Sequence, residues 1–218
     1  MKLKYILLCL LVACAGCGGN NNHNSDIVGT WIADLFVSAS GEDSLANTLV
    51  YNSDTSAQVR TDESIQSGTW RTEGGRIITT LPDISREIMS EYSLMNSDNI
   101  LETMTENLTG SIITEYHYRM TLNFPSELVG TWTPISATAD GAEVNAAELP
   151  QLVLAADGTG SFSWSVTEGR LLMLDPVSLI GQAYEYAIAV PDGGAVLLTT
   201  TGIEAGQTVT VSYTNDEA

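Results

Sequence analysis

The chain has 218 residues, 44% hydrophobic and 16% charged, which is a globular composition and not a disordered one. Eight Lys and Arg stand against 27 Asp and Glu, and both lysines, Lys2 and Lys4, fall in the first four residues. Without that N-terminus the chain carries six arginines and a formal charge of −21, which argues against a nucleic-acid partner and against a surface drawn to anionic lipid. The cysteines, Cys9, Cys14 and Cys17, all lie in the leader, so no disulfide framework is expected in the folded part. His23 and His117 are the only histidines, which leaves no zinc site of the usual Cys/His type.

Residues 1–17 read as an export segment. Lys2 and Lys4 give a positive start, and Tyr5–Ala13 is an apolar run too short for the ~20 residues of a membrane span. Leu11-Val12-Ala13-Cys14 and Cys14-Ala15-Gly16-Cys17 each resemble the lipobox of bacterial lipoproteins, in which small residues precede the lipidated Cys. Residue types favour Cys14 and leader length favours Cys17, so both stay open; an ordinary secretory signal cut near Ala15 is the plainer alternative. The residue after either Cys is small and not Asp, which in such lipoproteins resembles the outer-membrane default. The expected place is thus the cell envelope, on an outer membrane, facing the periplasm or the surface of a bacterium. Residues 18–25, rich in Gly and Asn, read as a flexible tether in which His23 is solvated.

An internal repeat follows. Asp26-Ile27-Val28-Gly29-Thr30-Trp31 recurs as Glu127-Leu128-Val129-Gly130-Thr131-Trp132. Leu49-Val50 with Asp54 matches Leu152-Val153 with Asp157; Trp70 before Arg76 matches Trp164 before Arg170; Tyr92 and Asp98 match Tyr186 and Asp192. Two units are expected, 26–122 and 127–215, with the junction near Asn123–Ser126. Alternation of apolar and polar residues predicts antiparallel strands in the first unit at roughly 29–38, 47–54, 56–61, 66–73, 76–80, 89–96, 99–105 and 111–120. The second unit is expected to hold about seven, because its Asp157 hairpin runs directly into the Trp164 strand. Turns are expected at Gly74-Gly75, Asn96–Asn99, Asp157-Gly158 and Asp192–Gly194, and helix only as a turn around Ser85–Ser90. Neighbouring hairpins without a long crossover predict an all-β fold of two antiparallel meander barrels.

A strand opening on Val-Gly-Thr-Trp, then strand–Asp–turn–strand, then Gly-Thr-Trp and a Gly turn, resembles the lipocalin-like domains of bacterial lipoproteins. The resemblance covers 26–120 and 127–215 as two copies. It implies that Trp31 and Trp132 pack across one end of each barrel and that Arg119 stacks on Trp31. The second unit departs from the pattern, having Thr214-Asn215 where the Arg would stand. Both units are short for a deep calyx, so any cavity is expected to be small.

Trp70, Trp164 and Tyr186 are the candidates to contact a ligand, although such aromatics, Tyr116, Tyr118 and Tyr184 included, are more often plain core. His117, between Glu115 and Arg119, is expected on a solvent-exposed strand face, where an acid–base pair with Glu115 is a remote option. The scattered acids form no calcium-loop run, and read as a solvation device suited to salty settings. There is no nucleophile elbow, phosphate loop or dinucleotide fingerprint. The Asn107-Leu108-Thr109 glycosylation pattern is discounted because the leader looks bacterial. The expectation is therefore a non-enzymatic, lipid-anchored envelope protein without cofactor or metal. It would bind a small apolar ligand or a protein partner. The alternative is a structural or interaction module with packed barrels.

Overall fold

The computed structural model describes residues 24–34, 48–61, 64–106, 110, 112–190, 195–204 and 206–215. Cys14, Cys17, His23, the Asn107 acceptor and the Asp192–Gly194 turn lie outside the described residues. The chain divides after Arg119 into two units, Met1–Arg119 and Met120–Ala218. Asn123 already belongs to the second, its side chain donating to the Val166 carbonyl at 3.0 Å.

The first unit is a closed eight-stranded meander. Its strands are β1 (Gly29–Ala33), β2 (Thr48–Tyr51), β3 (Ser56–Arg60), β4 (Ile65–Glu73), β5 (Arg76–Leu81), β6 (Arg86–Met95), β7 (Ile100–Glu106) and β8 (Ile112–Arg119). Each pairs with its neighbour in sequence, and β8 closes on β1 with Trp31 opposite Arg119 and Ala33 opposite His117. The period-two alternation sets the faces. On β7, Leu101, Thr103 and Thr105 are buried while Met104 and Glu106 are exposed. Gly74 and Gly75, both at positive φ, supply the β4–β5 turn. Strands β3, β4, β5, β7 and β8 fall within a residue of their expected limits. The core gathers Trp31, Leu49, Tyr51, Trp70, Ile77 and Leu101 inside the barrel. Eight strands enclose a space that side chains can just fill.

The expected helical turn around Ser85–Ser90 is a strand instead. The single turn lies earlier, at Pro82–Ile84, where Pro supplies a first helical residue. Ser85, at φ 52, ends it in the left-handed region, so β6 begins at Arg86. Further short 3-10 turns lie at Ser25–Ile27, Ser126–Leu128 and Ala146–Glu148.

The second unit comprises β9 (Gly130–Ala139), β10 (Ala142–Val144), β11 (Leu152–Leu154), β12 (Ser163–Thr167), β13 (Arg170–Leu174), β14 (Gly181–Ala189), β15 (Val196–Glu204) and β16 (Gln207–Asn215). Its sheet runs β10-β9-β16-β15-β14-β13-β12, with β11 also on β9, and it does not close. The expected second barrel is therefore corrected to an open sheet. The reason lies in chain length. Trp70 follows Asp54 by sixteen positions, which holds β3, a turn and the start of β4; Trp164 follows Asp157 by seven. A counterpart of β3 has no room, and only a single bridge, Leu154 to Gly160, joins the two sides. The count is eight strands and not seven, because the Asp140-Gly141 turn adds the short β10. The core gathers Leu128, Trp132, Leu154, Trp164, Leu171 and Leu198.

Candidate functional site

Trp31 and Trp132 are each completely buried. Each follows a 3-10 turn and a glycine, and each indole N–H donates back to a carbonyl four residues earlier: Trp31 Nε1 to Ile27 O and Trp132 Nε1 to Leu128 O, both at 2.8 Å. The turn brings Ile27 or Leu128 into the core, so the tryptophan packs together with its own entry segment. Gly29 (φ 153) and Gly130 (φ 151) make the bend that allows this.

The residue level with the tryptophan on the last strand differs. In the first unit the Arg119 guanidinium sits 4.4 Å from the Trp31 ring centre. It donates to Val28 O at 3.3 Å and to Asp26 O. In the second unit Thr214 pairs with Thr133, which brings Asn215 level with Trp132. Asn215 is buried against Gly130, where a Cβ would come within 2.3 Å of its Nδ2.

Trp70 and Trp164 are also buried, and they too repeat one geometry. Trp70 Nε1 donates to Asn52 O at 2.9 Å and Trp164 Nε1 to Ala155 O at 3.0 Å. Their backbone N–H groups donate to Thr55 O and Gly158 O, each at 2.9 Å. The turns they brace are held alike. Asp54 Oδ1 accepts from Ser56 N and Oγ; Asp157 Oδ1 accepts from Thr159 N and Oγ1. These bonds hold both carboxyls below the usual carboxylate range. Two of the three expected ligand-contact residues are thus packed in the core with their N–H groups paired. Tyr186 is half-buried at its margin. Burial, and then the charge of Glu127, raise its pKa.

The expected exposed face of β8 is reversed. His117 is fully buried, since Leu101 lies opposite it on β7 and Ala33 on β1, both pointing into the barrel. Tyr116 lies on the outer face, where its hydroxyl donates to Glu102 at 2.9 Å. Tyr118 is buried on that same outer side, opposite Ile32 and Ile100. The barrel interior therefore holds polar groups that polarity alone placed outside. His117 Nε2 lies 3.4 Å from Thr103 Oγ1 and 3.8 Å from Glu115, while its Nδ1 has no partner. Ser90 and Thr105 share a 2.6 Å bond on neighbouring strands. Burial pushes His117 below its ordinary 6.5, and Glu115 opposes the shift. Tyr51 is pushed up to about 12, chiefly by burial, with Thr79 opposing and Glu115 adding. A neutral imidazole beside a carboxylate is acid–base chemistry in kind, yet His117 is sealed from solvent.

Among the described residues no group of three or more His, Cys, Asp or Glu could hold a metal ion. None of their helices is long and apolar enough to cross a membrane, which says nothing of spanning by strands. Two open grooves lie on the second unit. One, of about 520 Å³, runs between Pro134–Thr138 and Glu143–Ala147. The other, of about 370 Å³, lies beside Gly130 and Asn215.

No family model and no curated protein matches the chain. Among solved structures, a "putative outer membrane protein" of Bacteroides fragilis is similar at 12% identity over 86% of this chain and 94% of that one, with a TM-score of 0.21. A score that low does not establish a shared fold.

Proposed function

We propose that the chain is a lipid-anchored, non-enzymatic protein of the bacterial cell envelope, with two lipocalin-like units that act through their surfaces and not through a deep calyx. The observation that carries this reading is the filled interior of the closed barrel. Trp31, Tyr51, Trp70, Ile77 and Leu101 converge there and are all buried. Both tryptophan N–H groups are already bonded to carbonyls. The His117 cluster lacks the access that turnover requires. The two lipobox-like runs ending in Cys14 and Cys17 support the anchor, and the small residues after them support an outer-membrane destination. A surface with this acidic excess keeps the protein soluble beside the membrane. A small apolar ligand stays the second reading, on the strength of half-buried Tyr186 and Ile188 at the margin of the second core.

The full chain expressed in a two-membrane bacterium should incorporate labelled fatty acid. The double substitution Cys14→Ser, Cys17→Ser should abolish the label and release soluble protein. Undiminished labelling of that variant would refute the anchor.

A further inference from the structure

The barrel of the first unit closes on its shortest ladder. Among the described residues β1 meets β8 in three pairs, Trp31–Arg119, Ile32–Tyr118 and Ala33–His117, whereas the other seven ladders hold four to seven. One more bond, from Asp34 N–H to Tyr116 O at 2.8 Å, extends this seam. Arg119 clamps one end of it, because its guanidinium reaches the Asp26 and Val28 carbonyls in the segment that leads into β1. The other end rests on His117. That ring is completely buried, with Nε2 at 3.4 Å from Thr103 Oγ1 and 3.8 Å from Glu115 Oε2, and with Nδ1 unpartnered. A neutral imidazole carries one N–H, which Nε2 can hold beside these oxygens; an imidazolium carries two. The inward residues next to it are Trp31 and Ala33 on β1 and Leu101, Thr103 and Thr105 on β7, none of them titratable. β8 itself adds Glu115, on the Nε2 side, and Arg119, which is committed to Trp31 and the two carbonyls. Across the barrel stand the phenols of Tyr51 on β2 and Tyr92 on β6, while β3, β4 and β5 present Ala57, Trp70 and Ile77.

We propose that His117 is an acid-sensitive latch, whose protonation opens the β1–β8 seam from the Asp34 end, hinged at Arg119, while the other ladders of the barrel stay paired. Opening this seam brings water to Nδ1 and breaks the fewest ladder bonds, so it gives way before any other part of the wall. Burial already disfavours the charged ring, and Glu115 opposes that effect without relieving Nδ1. The second unit has no such latch. Tyr213 lies opposite Leu198 as His117 lies opposite Leu101, and it hydrogen-bonds with Thr200. A phenol takes up no proton in mild acid. The inference is independent of the lipid anchor.

The test is amide hydrogen exchange of the full chain in detergent, read by NMR and corrected for the intrinsic rate, at about pH 7.5 and about pH 5.5, where ordinary carboxylates stay ionised. Ile32, Asp34 and Tyr118 are the amides that alternation turns into the seam. Their protection should fall about 3- to 10-fold at the lower pH, the upper figure being one proton fully linked over one pH unit. Low urea should not change that loss, because unzipping one short ladder exposes little surface. The amides of β4 and β5 should stay at least about 10-fold better protected and respond to urea, as expected for exchange through unfolding of the whole unit. Those of β9 and β16 should show no pH effect. His117→Asn should abolish the effect at the seam. Glu115→Gln, which removes the carboxylate that favours the imidazolium, should leave the loss as large or enlarge it, and serves if the His117 variant does not fold. Unchanged seam protection in acid would overturn the latch. So would a seam that follows urea together with β4 and β5, the same loss in a folded His117→Asn protein, or a smaller loss in Glu115→Gln.

Discussion

The two Gly-x-Trp segments share a staple and differ in the residue that stands beside it. A buried tryptophan bonded to a carbonyl four residues back occurs in both, at the same 2.8 Å and after the same high-φ glycine. On its ring lies an arginine that reaches two carbonyls in one unit, and level with it stands a buried asparagine in the other. The staple belongs to folding, because in both units it ties a fully buried tryptophan to its own entry turn. The residue beside it is free to change, and it does so in the unit whose sheet is also open. Closure depends on a different stretch, the residues between the Asp turn and the second tryptophan, which fall from sixteen positions to seven. One architecture thus tolerates the loss of a strand and of a cation together while keeping both tryptophans.

The sharpest way to break that comparison is to remove the staple. Trp31→Ala should cost the first unit ~3–5 kcal/mol, and Trp132→Ala the second unit the same, a large share of a small domain's stability. Urea unfolding followed by the remaining tryptophans checks this. The two losses should add within ~0.5 kcal/mol if each is confined to its own unit. A strongly non-additive pair would mean that the staples are not local devices.

Removing the arginine should cost less. Arg119→Asn makes the first segment resemble the second, losing a ring contact and two bonds to carbonyls, for about 1–3 kcal/mol by the same unfolding assay. An equal loss from Arg119→Lys would show that the fork geometry matters more than the charge.

The buried histidine separates the units by pH. His117 is held neutral in the folded state by burial, against the pull of Glu115, whereas the unfolded chain takes up a proton near 6.5. The first unit should therefore keep its full stability above that value and lose it as pH falls below, by at most about 1.4 kcal/mol per pH unit. His117→Asn should remove this slope even if its stability is lower at every pH. A slope that survives the substitution would place the responsible proton elsewhere.

Salt should act most weakly and on both units. The acidic surplus repels itself, and screening over about 8–10 Å relieves it, so the melting midpoint should rise from low to moderate NaCl. A falling midpoint would mean that the carboxylates are already paired.

The meander and the tryptophan pairs were legible because each is a local pattern: alternation, a Gly turn, an Asp at a matched place before each second tryptophan. Closure was not, because it depends on whether two distant edges meet, and alternation says nothing of that. The face of β8 was misjudged for a related reason. Alternation separates Glu115, His117 and Arg119 from Tyr116 and Tyr118 but does not say which set points inward, and polarity gave the wrong answer. The signal was present in Arg119 itself. An arginine stacked on a buried tryptophan must share the inner face, and His117, two residues before it on the same strand, must share it too. The groove beside Asn215 was not legible, because its lining from β14 and β15 needed the fold.

Native mass spectrometry of the full chain, extracted gently from its host envelope, tests the central claim of filled units most directly. The account predicts the polypeptide with its covalent lipid and no apolar molecule held in stoichiometric amount. A retained apolar ligand at one per chain, lost on Trp70→Ala or Trp164→Ala in a protein that still folds, would contradict it.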